Sequence, residues 1–201
     1  MSQHAETEPA DHDGGSQATP GLRSSLTRRR HRWRRWGLTI AVLIVVFSAV
    51  TARLFIWPAV GMPARVGAIV MLAGPGNRLS LAMRLAREHK ADVLVVSRGY
   101  EGYSGPCPPR VPGVRLICFD PSPATTRGEA EFVGQLAKRY GWKTVALVTA
   151  TPQDSRARIR MERCFSGDVY VVAVGLPLSA WPGQIVYEWG ATIKMLVQPS
   201  C

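Results

Sequence analysis

The feature that most constrains this chain is an arginine-rich segment followed directly by a long apolar run. The arginine-rich segment is 28–36, and the apolar run continues through 37–57 with one interruption, Arg53. Roughly 20 apolar residues are enough to cross the hydrocarbon core of a bilayer as a helix. Arg53 lies near the end of the run, where a long side chain can extend to the membrane surface. The sequence therefore predicts one transmembrane helix at 37–57.

The distribution of arginine predicts the orientation of this helix. Seven arginines precede the apolar run: Arg23, Arg28, Arg29, Arg30, Arg32, Arg34 and Arg35. The other flank offers little beyond Arg65, and basic residues next to a membrane helix favour the cytoplasmic side. Trp33, Trp36 and Trp57 would lie at the two interfaces of the plasma membrane. We therefore expect a single-pass protein with a cytoplasmic N-terminus and an extracytoplasmic C-terminal domain, whose first partner is the lipid bilayer.

Two other interpretations of this region compete with a membrane anchor. A cleavable signal peptide would need a site of small residues, and 50–52 (Val-Thr-Ala) could supply one. Because the apolar segment continues past that site, an uncleaved anchor is favoured, although cleavage stays open. The net charge of +11 also fits a nucleic-acid footprint. Since the apolar run follows the arginines directly, membrane topology explains them better, and no nucleic-acid partner is predicted.

Composition divides the remaining chain into tail, arm and domain. Residues 1–27 contain almost nothing large and apolar, so we expect a disordered cytoplasmic tail before the basic juxtamembrane arm at 28–36. Residues 62–201 are enough for one extracytoplasmic domain of ordinary size. This domain carries 17 Lys and Arg against 10 Asp and Glu, a net charge of +7. Such a charge favours attraction to anionic lipid or wall polymer.

The outer domain contains short, continuous apolar runs, at 66–73, 93–97, 114–119, 144–149 and 169–174. Continuous runs are typical of strands buried on both faces of a parallel sheet. Helical patterns fall between several of them, at about 77–90, 128–140, 155–165 and 187–197. Strands alternating with helices predict a doubly wound α/β fold with a mainly parallel five-stranded sheet.

All four cysteines lie beyond the predicted membrane helix, where an oxidising compartment permits disulfides. They are Cys107, Cys118, Cys164 and Cys201, and four cysteines allow three complete connectivities. Residues 98–113 are rich in Gly, Pro and Tyr and show no helical pattern, so we expect a long surface loop there. A bond between Cys107 and Cys118 would attach this loop to the next strand. No metal site is predicted, because no cluster has the spacing of zinc ligands.

The ends of the predicted strands hold the candidate ligand-binding residues. In open parallel sheets, ligands bind at the carboxyl ends of strands, near the point where strand order reverses. Arginine and hydroxyl side chains recur in the loops at these ends, and with helix N-termini they would form an electropositive pocket for phosphate or carboxylate. The predicted ligand-binding residues are Asn77, Arg78, Ser97, Arg98, Thr126, Arg127, Thr149, Gln153 and Arg156.

Simpler structural roles compete with this interpretation. Thr126 and Glu129 fit a capping box, in which the Thr126 hydroxyl accepts from the Glu129 N–H and the Glu129 side chain reaches back. That motif leaves Arg127 unexplained. Asp154 or Ser155 would cap the following helix. Three arginines at helical spacing would by default form a solvated face: Arg156, Arg160 and Arg163.

Few residues in the chain suggest catalysis. Gly74 and Gly76 begin like a dinucleotide fingerprint, but Leu79 occupies the third glycine position, so a tight turn is predicted instead of an NAD site. No Ser-His-Asp set is apparent, since the histidines are His4, His12, His31 and His89. Glu129 is the one carboxylate near the strand ends that we assign to base chemistry. The sequence identifies no cofactor, and whether the protein is an enzyme stays open.

The order of these motifs resembles the YdcF/SanA/ElyC-like family, a domain of unknown function, and in particular its membrane-anchored actinobacterial members. The resemblance covers about 66–197. The motifs that carry it are Gly-x-Gly-x-Arg at 74–78, VLVVSRG at 93–99, TTRGEA at 125–130, VALVTATPQDSRARIRMERC at 145–164 and YEWGATIKML at 187–196.

The resemblance implies a Rossmann-like fold and a role in the bacterial envelope. Relatives are associated with the inner membrane, peptidoglycan assembly, lipid-carrier metabolism and barrier function, without a settled reaction. The family's arginine before the first helix falls on Arg78, and its Ser-Gly turn falls on 97–99. Its Thr-x-Glu-Asn-Ala pattern falls on 126–130, where the carboxylate is displaced by one place to Glu129 and the asparagine is missing.

A further departure from the family concerns proton transfer. Its Thr-Ser-x-x-His-x-x-Arg-Ala pattern falls on 149–157, where Ala150 replaces the serine and Gln153 replaces the histidine. Glutamine cannot serve as a general acid or base. The first functional hypothesis is therefore binding, or also processing, of an anionic or phosphorylated cell-wall or lipid-linked intermediate in peptidoglycan biogenesis. The alternative is a non-catalytic module that docks envelope-synthesis proteins.

Overall fold

The structure is a computed structural model that describes residues 22–57, 59–99 and 106–201. It divides into two compact units, Met1–Val46 and Phe47–Cys201. Helix α1, Leu22–Phe55, belongs to the first unit over most of its length and enters the second with its last residues. It begins inside the segment predicted to be disordered, 1–27, and it includes the basic arm. The rest of that predicted tail lies outside the described residues.

Within α1, the segment Trp33–Phe55 is long and apolar enough to cross a membrane. It has 23 residues and a mean hydropathy of 2.3, and almost none of it is buried. A buried core helix would show the opposite exposure. The observed segment overlaps the predicted transmembrane helix, 37–57, and begins four residues earlier.

The second unit contains the five-stranded parallel sheet that the sequence predicts, so the α/β fold is confirmed. Its strands are β1 (Ala68–Met71), β2 (Val93–Ser97), β3 (Arg115–Phe119), β4 (Thr144–Ala150) and β5 (Asp168–Val174). All four neighbouring pairs are parallel, and the strand order is β3-β2-β1-β4-β5. Strand order therefore reverses beside β1, which has β2 on one side and β4 on the other.

Helices cover both faces of the sheet. They are α2 (Arg78–Arg87), α3 (Thr126–Tyr140), α4 (Asp154–Cys164) and α5 (Trp181–Val197), with short 3₁₀ turns at Thr151–Gln153 and Leu178–Ala180. Alternate residues of β1 supply two cores, because successive strand side chains point to opposite faces. Val70 packs with α3 and α4, and Ile69 packs with α2. The continuous apolar strands are thus explained by burial on both faces.

Two disulfides attach the peripheral segments. Cys107 pairs with Cys118 of β3, as expected for the loop after β2, and the described residues of that connection, 98–99 and 106–114, contain no helix. Cys164, at the end of α4, pairs with Cys201. This second bond holds the residues after α5 against α4.

Candidate functional site

A pocket of about 520 Å³ opens at the carboxyl edge of the sheet, where strand order reverses. The residues after β1, the first turn of α3, residues of α4 and one side of α5 line this pocket. The volume lies within the usual range for small-molecule sites. In open parallel sheets, ligands bind at the carboxyl ends of strands near the reversal of strand order. The pocket lies at this place.

The centre of the pocket is an ion pair between Arg156 of α4 and Glu188 of α5. Arg156 Nε donates to Glu188 Oε2 at 2.7 Å, and Nη2 donates to Oε1 at 2.9 Å. The Glu188 side chain is 1% exposed. Burial alone would lower the pKa of Arg156, but the bonds and charge of Glu188 outweigh it, so the pKa is raised. Arg156 is therefore a permanent cation whose charge Glu188 largely compensates.

Thr126 joins this pair through its hydroxyl oxygen. Arg156 Nη1 donates to Thr126 Oγ1 at 2.7 Å, and Gln153 Nε2 donates to the same oxygen at 3.4 Å. The predicted capping box is therefore wrong. Thr125 caps α3 instead, accepting from the Gly128 N–H at 3.4 Å.

Gln153 also connects the pocket to Arg78, which is 2% exposed. Arg78 Nη2 donates to Gln153 Oε1 at 2.8 Å. Its other bonds go to backbone carbonyls, at Pro75 (2.8 Å), Ala73 (2.6 Å) and Leu72 (3.2 Å). Burial lowers the pKa of Arg78 to about 10. Arg78, predicted to bind an anion, thus lies beneath the pocket, where its hydrogen bonds to backbone carbonyls fix the loop after β1.

Glu129 lines the pocket. A capping box would require its side chain to reach back to the start of α3, which it does not do. Its side chain is buried, and Oε1 accepts from the Ala73 N–H at 2.7 Å. Burial raises the pKa of Glu129, against the opposing effects of the Ser97 side chain, the Ala73 N–H and the Arg78 charge. Burial thus favours the neutral acid, which makes Glu129 better suited to donate a proton than to remove one.

Ser97 and Thr149 hold buried hydroxyl groups without a hydrogen-bond partner among the described residues. Each lies one position beyond the strand partners of Met71, on the sheet face that carries α3 and α4. The Ser97 hydroxyl lies near the Glu129 carboxyl without meeting the geometry of a hydrogen bond. Neither residue lines the pocket, so both lie in the layer beneath it.

Besides Arg78, Ser97 and Thr149, two more predicted ligand-binding residues lie outside the pocket. Asn77 is exposed at the start of α2 and does not cap it with its side chain. Arg98 forms an ion pair with Asp120 at the end of the sheet. Both lie near strand ends, as the sequence predicts, but neither lines the pocket.

Arg127, which the capping motif left unexplained, does line the pocket. Its Nε lies 3.2 Å from Glu131 Oε1 in an ion pair one turn along α3, and its Nη1 lies 3.5 Å from Ser200 Oγ. The side chain stays about one third exposed. Arg127 is therefore a cation with access to the pocket and to solvent.

The residues of α4 also correct two predictions. The predicted solvated arginine face is wrong, because Arg160 is buried and donates to the carbonyls of Gln198 (2.7 Å) and Ser200 (3.1 Å). Asp154 and Ser155 do not cap α4, whose N-cap is Gln153, without a side-chain bond. Ser155 instead donates to the Leu54 carbonyl at 2.8 Å.

The sequence missed several pocket residues on α5 and on the buried side of α4. Glu188, Tyr187, Lys194 and Arg160 all line the pocket. A lone carboxylate within the apolar pattern of α5 was the available signal for Glu188, and its partner lies 32 residues earlier in the chain. Arg160 could be assigned to the pocket only once α5 was seen to cover α4.

The side chains of the pocket give it a net positive charge. Its cations are Arg127, Arg156, Arg160 and Lys194, and its carboxylates are Glu129 and Glu188. Glu188 is committed to Arg156, and burial favours the neutral form of Glu129. The first N–H groups of α3 add partial positive charge, since a helix N-terminus leaves them without intrahelical partners. The arrangement suits an anion.

Among the described residues, no group of three or more His, Cys, Asp and Glu side chains could hold a metal ion. Fold and pocket together define the class: an α/β protein with an anion-compatible pocket at the carboxyl edge of its sheet and an N-terminal helix able to cross a membrane. Comparison with protein-family models, with curated proteins and with solved structures gave no match to this chain.

Proposed function

We propose that this protein is a single-pass, outward-facing envelope protein whose pocket binds a phosphorylated, anionic intermediate of cell-wall or lipid-carrier metabolism. The observation that carries the proposal is the excess of cations around the pocket. In the described part of the chain, Arg160 and Lys194 have no carboxylate partner, and Arg127 pairs only with the partly exposed Glu131, whereas Glu188 is paired with Arg156. A phosphate group can take charge-assisted hydrogen bonds from such cations and from the N-terminus of α3.

The anchoring part of the proposal is supported by the exposed, apolar segment Trp33–Phe55. Arginines precede this segment in greater number than they follow it, which favours a cytoplasmic N-terminus. The outer domain would then lie in an oxidising compartment, consistent with its two disulfides.

The resemblance to the YdcF/SanA/ElyC-like family supports a role in the envelope. Three residues that carry this resemblance come from separate parts of the chain: Arg78, Thr126 and Arg156. They form one hydrogen-bonded network, in which Gln153, a position where the chain departs from the family, links Arg78 to Thr126. Such a network is what a shared ligand site would require.

Binding is favoured over turnover by the chemistry of this network. Gln153 uses its carbonyl oxygen for Arg78 and its NH₂ group for Thr126, and an amide serves as neither general acid nor general base at neutral pH. Of the two carboxyl groups that line the pocket, Glu188 is paired with Arg156, and Glu129 accepts from the Ala73 N–H. Any hydrolysis would therefore depend on Glu129 as the proton donor.

Direct binding to the purified full chain tests this function. The probes are inorganic phosphate, pyrophosphate and a short-chain polyprenyl phosphate, titrated calorimetrically in detergent micelles. Arg127→Ala removes a pocket cation, whereas Arg139→Ala removes an exposed arginine at the other end of the same helix. We expect about tenfold weaker binding for Arg127→Ala, the loss of about 1.4 kcal/mol, and unchanged binding for Arg139→Ala. Equal affinities, or no saturable binding of any probe, would contradict the proposal and favour a docking module.

A further inference from the structure

Helix α5 carries an apolar face that points away from the domain. Val186, Ile193 and Val197 recur at i, i+7 and i+11, and Trp189 and Leu196 lie beside them on the same side of the helix. Four of these side chains are more than half exposed: Val186 75%, Ile193 57%, Leu196 64% and Val197 72%. The sequence places no charged residue on this face.

Exposed large apolar side chains are concentrated around this face. In the described residues after α1, they are Ile56, Trp57, Val60, Tyr140, Leu178, Val186, Tyr187, Ile193, Leu196 and Val197. All except Tyr140 belong either to the segment that follows α1 or to α5 and the turn before it. A concentration of exposed apolar side chains in two segments of the chain marks an interaction surface rather than ordinary solvent-exposed surface.

The patch continues directly into the end of the candidate membrane span. The Trp189 ring stacks on Phe47 at 5.2 Å and meets Phe55 edge-on at 5.4 Å, and its Nε1 donates to Thr51 Oγ1 at 3.3 Å. Phe47 and Phe55 are eight positions apart on α1, about 12 Å at the rise of an α-helix. The middle of α5 therefore lies beside the last two turns of the span.

From this continuity we infer that the outward face of α5 lies in the outer leaflet of the bilayer, at the boundary between headgroups and acyl chains. The inference rests on the proposed anchoring by α1. If α1 crosses the bilayer, the residues beside its last two turns are at interfacial depth, where apolar helix faces insert about 5–10 Å. Trp189 then lies where tryptophan is enriched in membrane proteins.

The same helix places the ligand pocket next to the lipid. Tyr187 and Lys194 line the pocket from the side of α5 that adjoins the apolar face. The pocket would then open beside the headgroup layer, and a phosphate carried by a membrane lipid could reach it without leaving the bilayer. This geometry favours a lipid-linked phosphate over a freely diffusing one.

Spin-label accessibility in the full chain tests the inference. The native cysteines are paired, so single cysteines introduced at exposed positions can be labelled with a nitroxide. Ile193→Cys and Val197→Cys report on the apolar face, Val45→Cys on the span and Lys138→Cys on the polar end of α3. The protein is reconstituted in vesicles of phosphatidylcholine with phosphatidylglycerol as the minor lipid. Power saturation then measures collision with oxygen, which dissolves in lipid, and with a water-soluble nickel chelate.

For Ile193→Cys and Val197→Cys we expect high oxygen and low nickel accessibility, a ratio close to that of Val45→Cys and several-fold above that of Lys138→Cys. High nickel accessibility at both positions, together with high oxygen and low nickel accessibility at Val45→Cys, would overturn the docking of α5 and leave the anchor intact. Low accessibility to both reagents would show that protein covers this face, in these vesicles a second copy of this chain, and would also overturn the inference. High nickel accessibility at Val45→Cys would instead refute the membrane anchor on which the inference rests.

Discussion

Arg156 and Glu188 form a two-bond ion pair that joins α4 to α5 across the base of the pocket. The geometry matches the planar fork of guanidinium to both oxygens of one carboxylate. Because Arg156 also donates to Thr126, the pair fixes the first turn of α3 relative to both helices. The position of the pocket walls therefore depends on one buried carboxylate.

Glu188→Gln should destabilise the fold more than loss of an exposed ion pair. The substitution keeps the side-chain size but leaves the mostly buried Arg156 without its counter-charge, which costs about 3 kcal/mol in comparable pairs. Glu131→Gln is the matched control, because it breaks the more exposed pair with Arg127 and should cost about 0.5 kcal/mol. Denaturant unfolding of the full chain in detergent measures both values. Equal losses would show that the buried pair does not support the fold.

Asp154→Asn should change how stability depends on pH. Asp154 is buried, one of its oxygens has no hydrogen-bond partner among the described residues, and burial raises its pKa from 3.8 to about 6. Between these values the folded state binds more protons than the unfolded state, so the free energy of unfolding falls as pH rises. Because asparagine does not titrate, Asp154→Asn removes this fall in the free energy of unfolding.

The stability of Asp154→Asn relative to the parent should therefore increase from pH about 4 to pH about 6 and then level off. Denaturant titrations at a series of pH values would measure it. The control is Asp168→Asn, which removes a carboxylate from the exposed first residue of β5. A stability difference for Asp154→Asn that does not change with pH would refute the prediction.

Gly128→Ala should destabilise the protein although Gly128 lies within a helix. A Cβ at this position would collide with the backbone of Ser122 and Pro123, so the first turn of α3 would have to move away from that loop. Gly190→Ala, in α5, meets no atom within 4 Å and should stabilise by up to about 1 kcal/mol through helix propensity. Thermal unfolding of the two variants should shift in opposite directions, and a stabilised Gly128→Ala would contradict the close packing.

Reporter fusions should show the orientation of the chain. A reporter that is active only in the cytoplasm should give no signal at the C-terminus, because the arginines before the span favour a cytoplasmic N-terminus. The same reporter at the N-terminus should be active, which controls for expression and insertion. A cytoplasmic signal from the C-terminal fusion would reverse the proposed topology.

Much of the fold could be read from local pattern. The run 93–97 became β2 without change, and the other runs matched their strands within a few residues. Strands buried on both faces need continuous apolar residues, so the signal is local and strong. The boundaries of α5 were less certain, because its first turns lack the helical pattern that 187–197 shows, and the structure extends the helix back to Trp181.

The candidate site was harder to predict. Local sequence indicates where a strand ends, but the direction of a side chain there depends on partners distant in the chain. Thr126, Arg127, Gln153 and Arg156 do line the pocket with Glu129, whereas Arg78 turns inward to backbone carbonyls. The capping box failed for a related reason. Glu129 satisfies the Ala73 N–H, 56 positions away, and no local motif contains that partner.

The sequence by itself determined the apolar span, the parallel α/β sheet and the edge at which a pocket should lie, because hydrophobic run length and periodicity are local properties. Only the tertiary structure decided which arginines face the pocket and which carboxylate compensates Arg156. It also decided that α5 turns one side to the pocket and an apolar side outward. These outcomes depend on partners distant in the chain, since a buried charge is stable only where folding brings a counter-charge or hydrogen-bond acceptors within hydrogen-bonding distance.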